Sequence, residues 1–209
     1  MPGRRAVAAV YERNINAWID NASPADIDTG LAWYTDSREY CRATGRETGT
    51  PWRAVAAVVA VLSSQTSWPE NKVHARLVID HHRAGLDGRP DRCGGYPANI
   101  DKAYRILRSS DAGETIRVCA ARAVSSKGTG RVVNCAGSHC DYAHVHGVKH
   151  APFYWSITGE RVDCPTVDVW ATRVATVHPS ETAGLGSDDP RRLGLPGTAV
   201  DQIQDAYRR

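Results

Sequence analysis

Two residues of opposite charge, Lys149 and Asp168, lie within the stretch KHAPFYWSITGERVDCPTVDVWATRVA, where Asp168 is flanked by apolar residues. A carboxylate such as Asp168 can take a proton from an attacking water or stabilise a developing positive charge. A lysine amine that loses its proton through partial burial becomes a nucleophile. Alternatively both are ordinary surface charges, because an acid at the helix start PTVD also complements the helix dipole. The pair therefore has a catalytic and a structural interpretation.

Thiol and imidazole side chains are concentrated in the segment CAGSHCDYAHVH. Zinc prefers these ligands, and a tetrahedral structural site could be built from Cys135, Cys140, His144 and His146. The alternative is a polar loop with incidental thiols. The other cysteines are scattered and are expected to be small buried residues. This segment predicts a structural rather than a catalytic metal.

Helical periodicity dominates the elements that must position these side chains. The helical segments up to residue 85 are RRAVAAVYERNINAWIDNA, DTGLAWYTDSREYCRATGRE, PWRAVAAVVAVLSS and SWPENKVHARLVIDHHRAG. The second is expected to end near Gly45, and the third to begin at Pro51 and lie buried, because it is apolar nearly all round. The fourth has a capping box of Ser67 and Glu70 and a stop at Gly85.

The second half of the chain is predicted to contain shorter helices. YPANIDKAYRILRSS has an apolar helical face, whereas the Gly-, Ser-, Cys- and His-rich region 109–146 is predicted to be an insertion. APFYWSI and PTVDVWATRVATV are expected to be two further helices, since apolar spacing outweighs the β-branched content of the second. A final helix is predicted in AVDQIQDAYRR.

Three segments, in this order, carry a resemblance to a known family. They are VLSSQTSWPENKVHARL, GYPANIDKAYRIL, and HGVKHAPFYWSI followed by TVDVWATRVA. Their order and spacing resemble the helix–hairpin–helix DNA glycosylase superfamily, the endonuclease III-like group. The last segment looks closest to phage-associated relatives linked to modified pyrimidine bases. The resemblance implies an all-α fold, a helical bundle of two lobes with a cleft between them.

The resemblance also implies roles for individual residues. Lys149 matches the lysine that attacks the sugar in bifunctional members, and Asp168 matches the aspartate of active members. Gln65 matches the residue that fills the space left by an extruded base. The implied enzyme cleaves the N-glycosidic bond of a flipped-out modified or damaged base, with lyase activity at abasic sites if Lys149 attacks. The DNA-binding candidates in these segments are Gln65, Ser64, Gly147, His150, Lys102, Trp68 and Asn71.

The domain organisation is expected to follow the same pattern. Residues 1–50 would form N-terminal helices that pack with the C-terminal segment, and 51–160 a helical lobe that carries the hairpin, with the insertion at about 109–146. Residues 161–209 would supply the aspartate-bearing helix and the C-terminal segment of the second lobe. Because no cysteine follows Cys164, the iron–sulfur loop of many relatives is absent and no such cluster is expected. No cofactor is required, and a zinc ion bound by the Cys- and His-rich segment would be structural.

Composition narrows the class of partner only slightly. The net charge is +3, from 26 Lys+Arg against 23 Asp+Glu, and the longest apolar run is far too short to span a bilayer. We expect a cytoplasmic, nucleoid-associated monomer that acts on double-stranded DNA and does not bind membranes. Two alternatives are a catalytically inactive helix–hairpin–helix module that binds DNA, and a phage-type enzyme that processes modified pyrimidine bases or nucleotides.

Overall fold

The computed structural model describes residues 4–64, 66–86, 88–119, 124–125, 132–133, 143–147, 149–161, 166, 171 and 174–175. This part of the chain is predominantly helical, which confirms the predicted helical class. The helices are α1 (Arg4–Asn21), α2 (Pro24–Thr48), α3 (Trp52–Leu62), α4 (Trp68–Arg83), α5 (Pro97–Asp111) and α6 (His150–Thr158). The short strands are β1 (Val118–Cys119), β2 (Val124–Ser125), β3 (Val132–Val133) and β4 (Val145–His146).

The chain divides into two compact units, one formed by Met1–Trp33 with Val162–Arg209 and the other by Tyr34–Arg161. The boundary after Trp33 falls inside α2, whereas the sequence analysis placed a boundary at residue 50. The described part of the first unit joins the two ends of the chain. There Asn14 of α1 is buried, and its Nδ2 donates to the Ala175 carbonyl at 3.0 Å.

The aspartate-bearing segment belongs to the first unit. Of its residues the structure describes Thr166, Ala171, Val174 and Ala175, and the last three are helical. Asp168 itself lies outside the described residues, as does the predicted final helix AVDQIQDAYRR.

Helix α3 forms the core of the second unit. Its residues Ala54 to Leu62 are each at most 2% exposed, and α4, α5 and α6 all pack against it. The Pro51 carbonyl accepts from the amides of Ala54 and Val55, at 2.8 and 3.1 Å, and so starts the helix. The expected buried central helix is confirmed, because an apolar surface on all sides requires neighbours on all sides.

Helix α4 begins and ends where the sequence predicted. Ser67 Oγ accepts from the Glu70 amide, and the Glu70 carboxylate accepts from the Ser67 amide, so the capping box is complete. The helix ends at Arg83, and Gly85 follows with a φ of 71°. On the buried side, Asn71 Nδ2 donates to the Val59 carbonyl at 3.1 Å and holds α4 against α3.

Helix α2 continues three residues beyond the predicted stop at Gly45, to Thr48. Gly45 is instead a packing residue, because a Cβ at this position would lie 2.7 Å from the Thr50 carbonyl oxygen and 3.2 Å from Trp52 Cα. Gly49 follows the last helical residue, and its φ of 67° suits a residue without a side chain. The prediction of a helix end at Gly45 was wrong, since composition does not distinguish a glycine required for close packing from one required for a turn.

The predicted insertion is bounded by a pair of short strands. Helix α5 extends to Asp111, and β1 then pairs in parallel with β4 through Val118 and Val145. Between them β2 and β3 pair antiparallel. Among the described residues, no helix combines the length and the apolar character needed to cross a membrane.

Two glycines of α2 provide a matched stability test. We expect Gly45→Ala to lower the free energy of unfolding by about 1–3 kcal/mol, because the new methyl group must displace the Thr50–Trp52 backbone. Gly30→Ala, in the same helix, is exposed and finds nothing within 4 Å among the described residues, so we expect stabilisation of up to about 1 kcal/mol. Urea unfolding followed by circular dichroism measures both. Equal effects of the two substitutions would contradict the packing role of Gly45.

Candidate functional site

The polar corner after α3 satisfies the end of a buried helix. The last carbonyls of a helix have no partner within the helix, and in a buried helix water cannot supply one. Ser63 Oγ donates to the Ala60 carbonyl at 2.8 Å, and Thr66 Oγ1 donates to the Leu62 carbonyl at 3.1 Å. Ser63 is only 7% exposed, so its own carbonyl also needs a donor from the protein.

That donor comes from the start of α6. Lys149 precedes the helix, and its Nζ donates to the Ser63 carbonyl at 2.9 Å. The next residue, His150, places its Nε2 2.8 Å from Ser64 Oγ. Both contacts join residues separated by 86 positions in the sequence. The structure therefore brings the corner and the lysine-bearing turn together into one cluster.

The two histidines at this site have pKa values below the ordinary value of an imidazole. Burial, followed by the nearby positive charges of Lys102 and Lys149, lowers the pKa of His150 to about 4, while a hydrogen bond to the His146 backbone opposes the shift. Burial and Lys102 also lower the pKa of His146. At neutral pH His150 is therefore an uncharged hydrogen-bonding group beside two lysines.

The positive charge of Lys102 acts on the histidines of this cluster. Lys102 lies on α5, and burial followed by the nearby charge of Arg105 lowers its pKa from the ordinary value. Its charge in turn acts on both His146 and His150. Hence four of the predicted DNA-binding or catalytic residues converge, namely Ser64, Lys102, Lys149 and His150. We call these four residues the corner cluster.

The turn before α6 differs from a simple phosphate-binding hairpin. Gly147 has a φ of 111°, but its amide donates to the Cys119 carbonyl at 2.9 Å, so this amide is not available to a phosphate. In the described part of the chain, the element directly before the turn is strand β4 rather than a helix. A side-chain cation, Lys149, is therefore better placed than the Gly147 amide to meet an anion here.

Two other DNA-binding candidates are held by internal contacts. Asn71 is 2% exposed and is used to join α4 to α3, so it does not reach the surface. The Trp68 ring packs edge-on against Tyr40 at 5.8 Å between ring centroids, and Lys72 lies over the same indole at 5.5 Å. Neither residue belongs to the corner cluster. Gln65, the candidate for filling the space of an extruded base, lies outside the described residues, as does Asp168.

The predicted zinc ligands are only partly described. Cys135 and Cys140 lie outside the described residues. His144 is buried, and its Nδ1 accepts from the Arg117 amide at 3.0 Å while Nε2 lies 3.0 Å from Ser109 Oγ. Both of its ring nitrogens therefore have protein partners, and His144 does not present one to a metal ion here. Among the described residues, no group of three or more His, Cys, Asp and Glu side chains could hold a metal ion.

His146 differs from His144. Its Nε2 is buried and has no hydrogen-bond partner in the part of the chain that the structure describes. His146, which the Cys- and His-rich pattern predicted as a metal ligand, interacts electrostatically with Lys102 and His150 of the corner cluster. Its position in β4, at the end of the paired strands, was not evident from the Cys- and His-rich composition.

Comparison with known families places the whole chain in one group. The model of a family of unknown function (DUF7178) matches residues 4–209. The chain belongs to that family. No curated protein and no solved structure matches it. The functional interpretation therefore depends on the site itself.

The depressed pKa of His150 gives a test of the cluster. We expect its ring signals to show no titration above pH 5 in NMR spectra of the folded protein, because burial and two lysines oppose protonation. The unfolded chain binds this proton near pH 6.5, so stability decreases as the pH falls through the interval between about 6.5 and 4. In His150→Gln this part of the pH dependence should disappear. Ring titration near pH 6.5 in the folded protein would contradict the described burial.

Proposed function

We propose that the protein is a DNA glycosylase-like enzyme that cleaves the N-glycosidic bond of an extruded modified or damaged base. The observation that carries this proposal is the convergence of Lys149 and His150 on Ser63 and Ser64, at 2.9 and 2.8 Å. These residues come from two of the three segments on which the resemblance to helix–hairpin–helix DNA glycosylases rests, and Lys102 comes from the third.

The charge of the corner cluster suits a DNA backbone. Two lysines provide positive charge for phosphate contacts, which dominate the affinity of proteins for DNA. Neutral His150 and the hydroxyl of Ser64 can donate or accept hydrogen bonds without adding charge. Such groups position a strand, whereas the chemistry requires a further acid or base.

That further group is, in our proposal, Asp168. Its carboxylate takes a proton from water, the water oxygen bonds to C1′ of the sugar, and the C1′–N bond breaks with its electron pair passing to the base. An ionised carboxylate also stabilises the positive charge that develops on the sugar. The assignment rests on the match between Asp168 and the aspartate of active helix–hairpin–helix DNA glycosylases.

Lys149 is less suited to nucleophilic attack than to binding. Its amine donates to the Ser63 carbonyl, and it would have to leave this carbonyl and lose a proton before it could attack C1′. We therefore propose hydrolysis rather than lyase chemistry as the principal reaction. The same contact favours a second candidate function, a DNA-binding module in which Lys149 holds the corner and contacts phosphate without catalysis.

A base-release assay tests the proposal. Duplex oligonucleotides that each carry one altered base, such as uracil or 5-hydroxymethyluracil, are incubated with the protein and treated with alkali to cleave abasic sites. We expect base release by the wild-type chain and a loss of about 100-fold or more in Asp168→Asn, because a charge that stabilises the transition state is removed. Asp101→Asn, an exposed aspartate of α5, is the matched control and should retain activity.

The outcomes separate the candidate functions. A borohydride-trapped adduct that is lost in Lys149→Gln would assign lyase activity to Lys149 and contradict our preference for hydrolysis. DNA binding without base release from a broad panel of altered bases would favour the binding module. Turnover of a free modified nucleotide with no affinity for DNA would favour the phage-type enzyme and overturn the glycosylase proposal.

A further inference from the structure

A second cationic surface lies at the other end of α3. Arg42 and Arg46 are exposed on α2, one helical turn apart, so their side chains lie on the same side of the helix. Among the described residues neither guanidinium forms a salt bridge. Arg76, by contrast, bonds Glu47 at 2.6 Å and Asp80 at 2.8 Å. Within the described part of the chain, therefore, no carboxylate is paired with Arg42 or Arg46 in a salt bridge.

The two arginines line adjoining open depressions of about 480 and 490 Å³. The depression of about 480 Å³ is lined by Arg42, Gly45, Arg46, Gly49, Thr50, Pro51 and Trp52, and we call it the arginine groove. The groove forms because Gly45 has no side chain, which lets the Thr50–Trp52 backbone approach α2 closely. Among the described residues that line the two depressions, Glu39 of the second one is the only carboxylate.

Trp52 helps to orient one of these arginines. The guanidinium carbon of Arg42 lies 5.2 Å from the centroid of the Trp52 ring, and that of Arg53 lies 4.8 Å from it. Arg53 also bonds Glu160 at 3.1 Å, so its charge is balanced. Arg42 is restrained by the aromatic ring without losing its charge, and a restrained guanidinium loses less entropy when it binds an anion.

The composition of the arginine groove argues against a protein partner. Stable protein interfaces depend on buried aromatic or aliphatic anchors at their centre. The aromatic residue that lines the groove is Trp52, and its ring is already covered by the guanidinium groups of Arg42 and Arg53. The large hydrophobic side chains that are exposed in the described part of the chain are Val10, Ile19, Ile27, Leu31, Val73, Leu86 and Tyr96, and none of them lines the groove. A continuous polyanion needs no such anchor, because its phosphates are met one by one by guanidinium groups.

We propose that the arginine groove binds the phosphodiester backbone of DNA through Arg42 and Arg46, as a second contact distinct from the corner cluster. This inference rests on the proposed function in taking DNA as the partner. Helix α3 has 11 residues, which corresponds to about 16 Å between its ends at 1.5 Å per residue. The groove and the corner cluster lie at opposite ends of this helix, so they cannot contact the same phosphate.

Salt-dependent DNA binding tests this inference. The affinity of the full chain for a fluorescent duplex of 20 base pairs is measured by anisotropy at several salt concentrations. In the double variant Arg42→Gln, Arg46→Gln we expect the slope of log affinity against log salt to become less negative by about 1.8, since each phosphate contact contributes roughly 0.9. The control Arg92→Gln, Arg108→Gln removes the same charge from exposed positions outside the groove and should change the slope by much less.

Failure of the arginine groove can be distinguished from failure of the glycosylase proposal, because DNA binding and base release are measured separately. An unchanged slope in the groove variant would overturn the proposal that the arginine groove binds DNA, and so would an equal change in the control variant. An absence of DNA binding by the wild-type chain would also overturn it. Displacement of DNA by polyglutamate as effectively as by unlabelled duplex would overturn the assignment to phosphodiesters. The expected slope change in a protein that releases no base would support the groove while the glycosylase proposal fails.

Discussion

The complete burial of α3 is the constraint on which the described part of the second unit depends. Residues Ala54 to Leu62 exclude water on every side, so polar backbone groups of this helix can be reached only at its ends. At the C-terminal end the donors are the hydroxyls of Ser63 and Thr66 and the amine of Lys149. A requirement of the core therefore fixes the position of the residue that the sequence presents as a catalytic candidate.

This arrangement reconciles the two interpretations of Lys149. As a structural residue it satisfies the carbonyl of Ser63, and as a functional residue it brings positive charge and His150 to a polar corner. The Ser63 carbonyl accepts one of the three N–H donors that a lysine ammonium carries. The same contact limits nucleophilic attack, because the amine would have to leave the Ser63 carbonyl before it could reach a sugar carbon.

Sequence patterns predicted the helices well where local signals agree with packing. The apolar run of α3 and the capping box of Ser67 and Glu70 specify their elements without any tertiary information. Gly45 was misinterpreted because its role depends on the approach of residues 50–52, a tertiary contact. The link between Lys149 and Ser63 spans 86 positions, and only the resemblance suggested that the two segments belong together.

The arginine groove was not predicted, because nothing in an arginine-rich composition distinguishes Arg42 and Arg46 from arginines that have carboxylate partners. The signal that the sequence offered was the spacing of four residues between Arg42 and Arg46, shortly before the helix that begins at Trp52. Similarly, the Cys- and His-rich segment predicted a metal site, whereas the ring of His144 is used in hydrogen bonds to Arg117 and Ser109. Residue type gives the available chemistry, while burial and partners decide which part of it is used.

We propose that DNA binds at the corner cluster, and NMR can detect this binding residue by residue. A ¹⁵N-labelled chain is titrated with a duplex that contains a stable abasic-site analogue. If DNA binds at the corner cluster, we expect the amide signals of Ser63, Ser64, Lys149 and His150 to shift and to saturate as the DNA binds. This proposal would be contradicted if these signals stayed fixed while the duplex bound elsewhere on the protein.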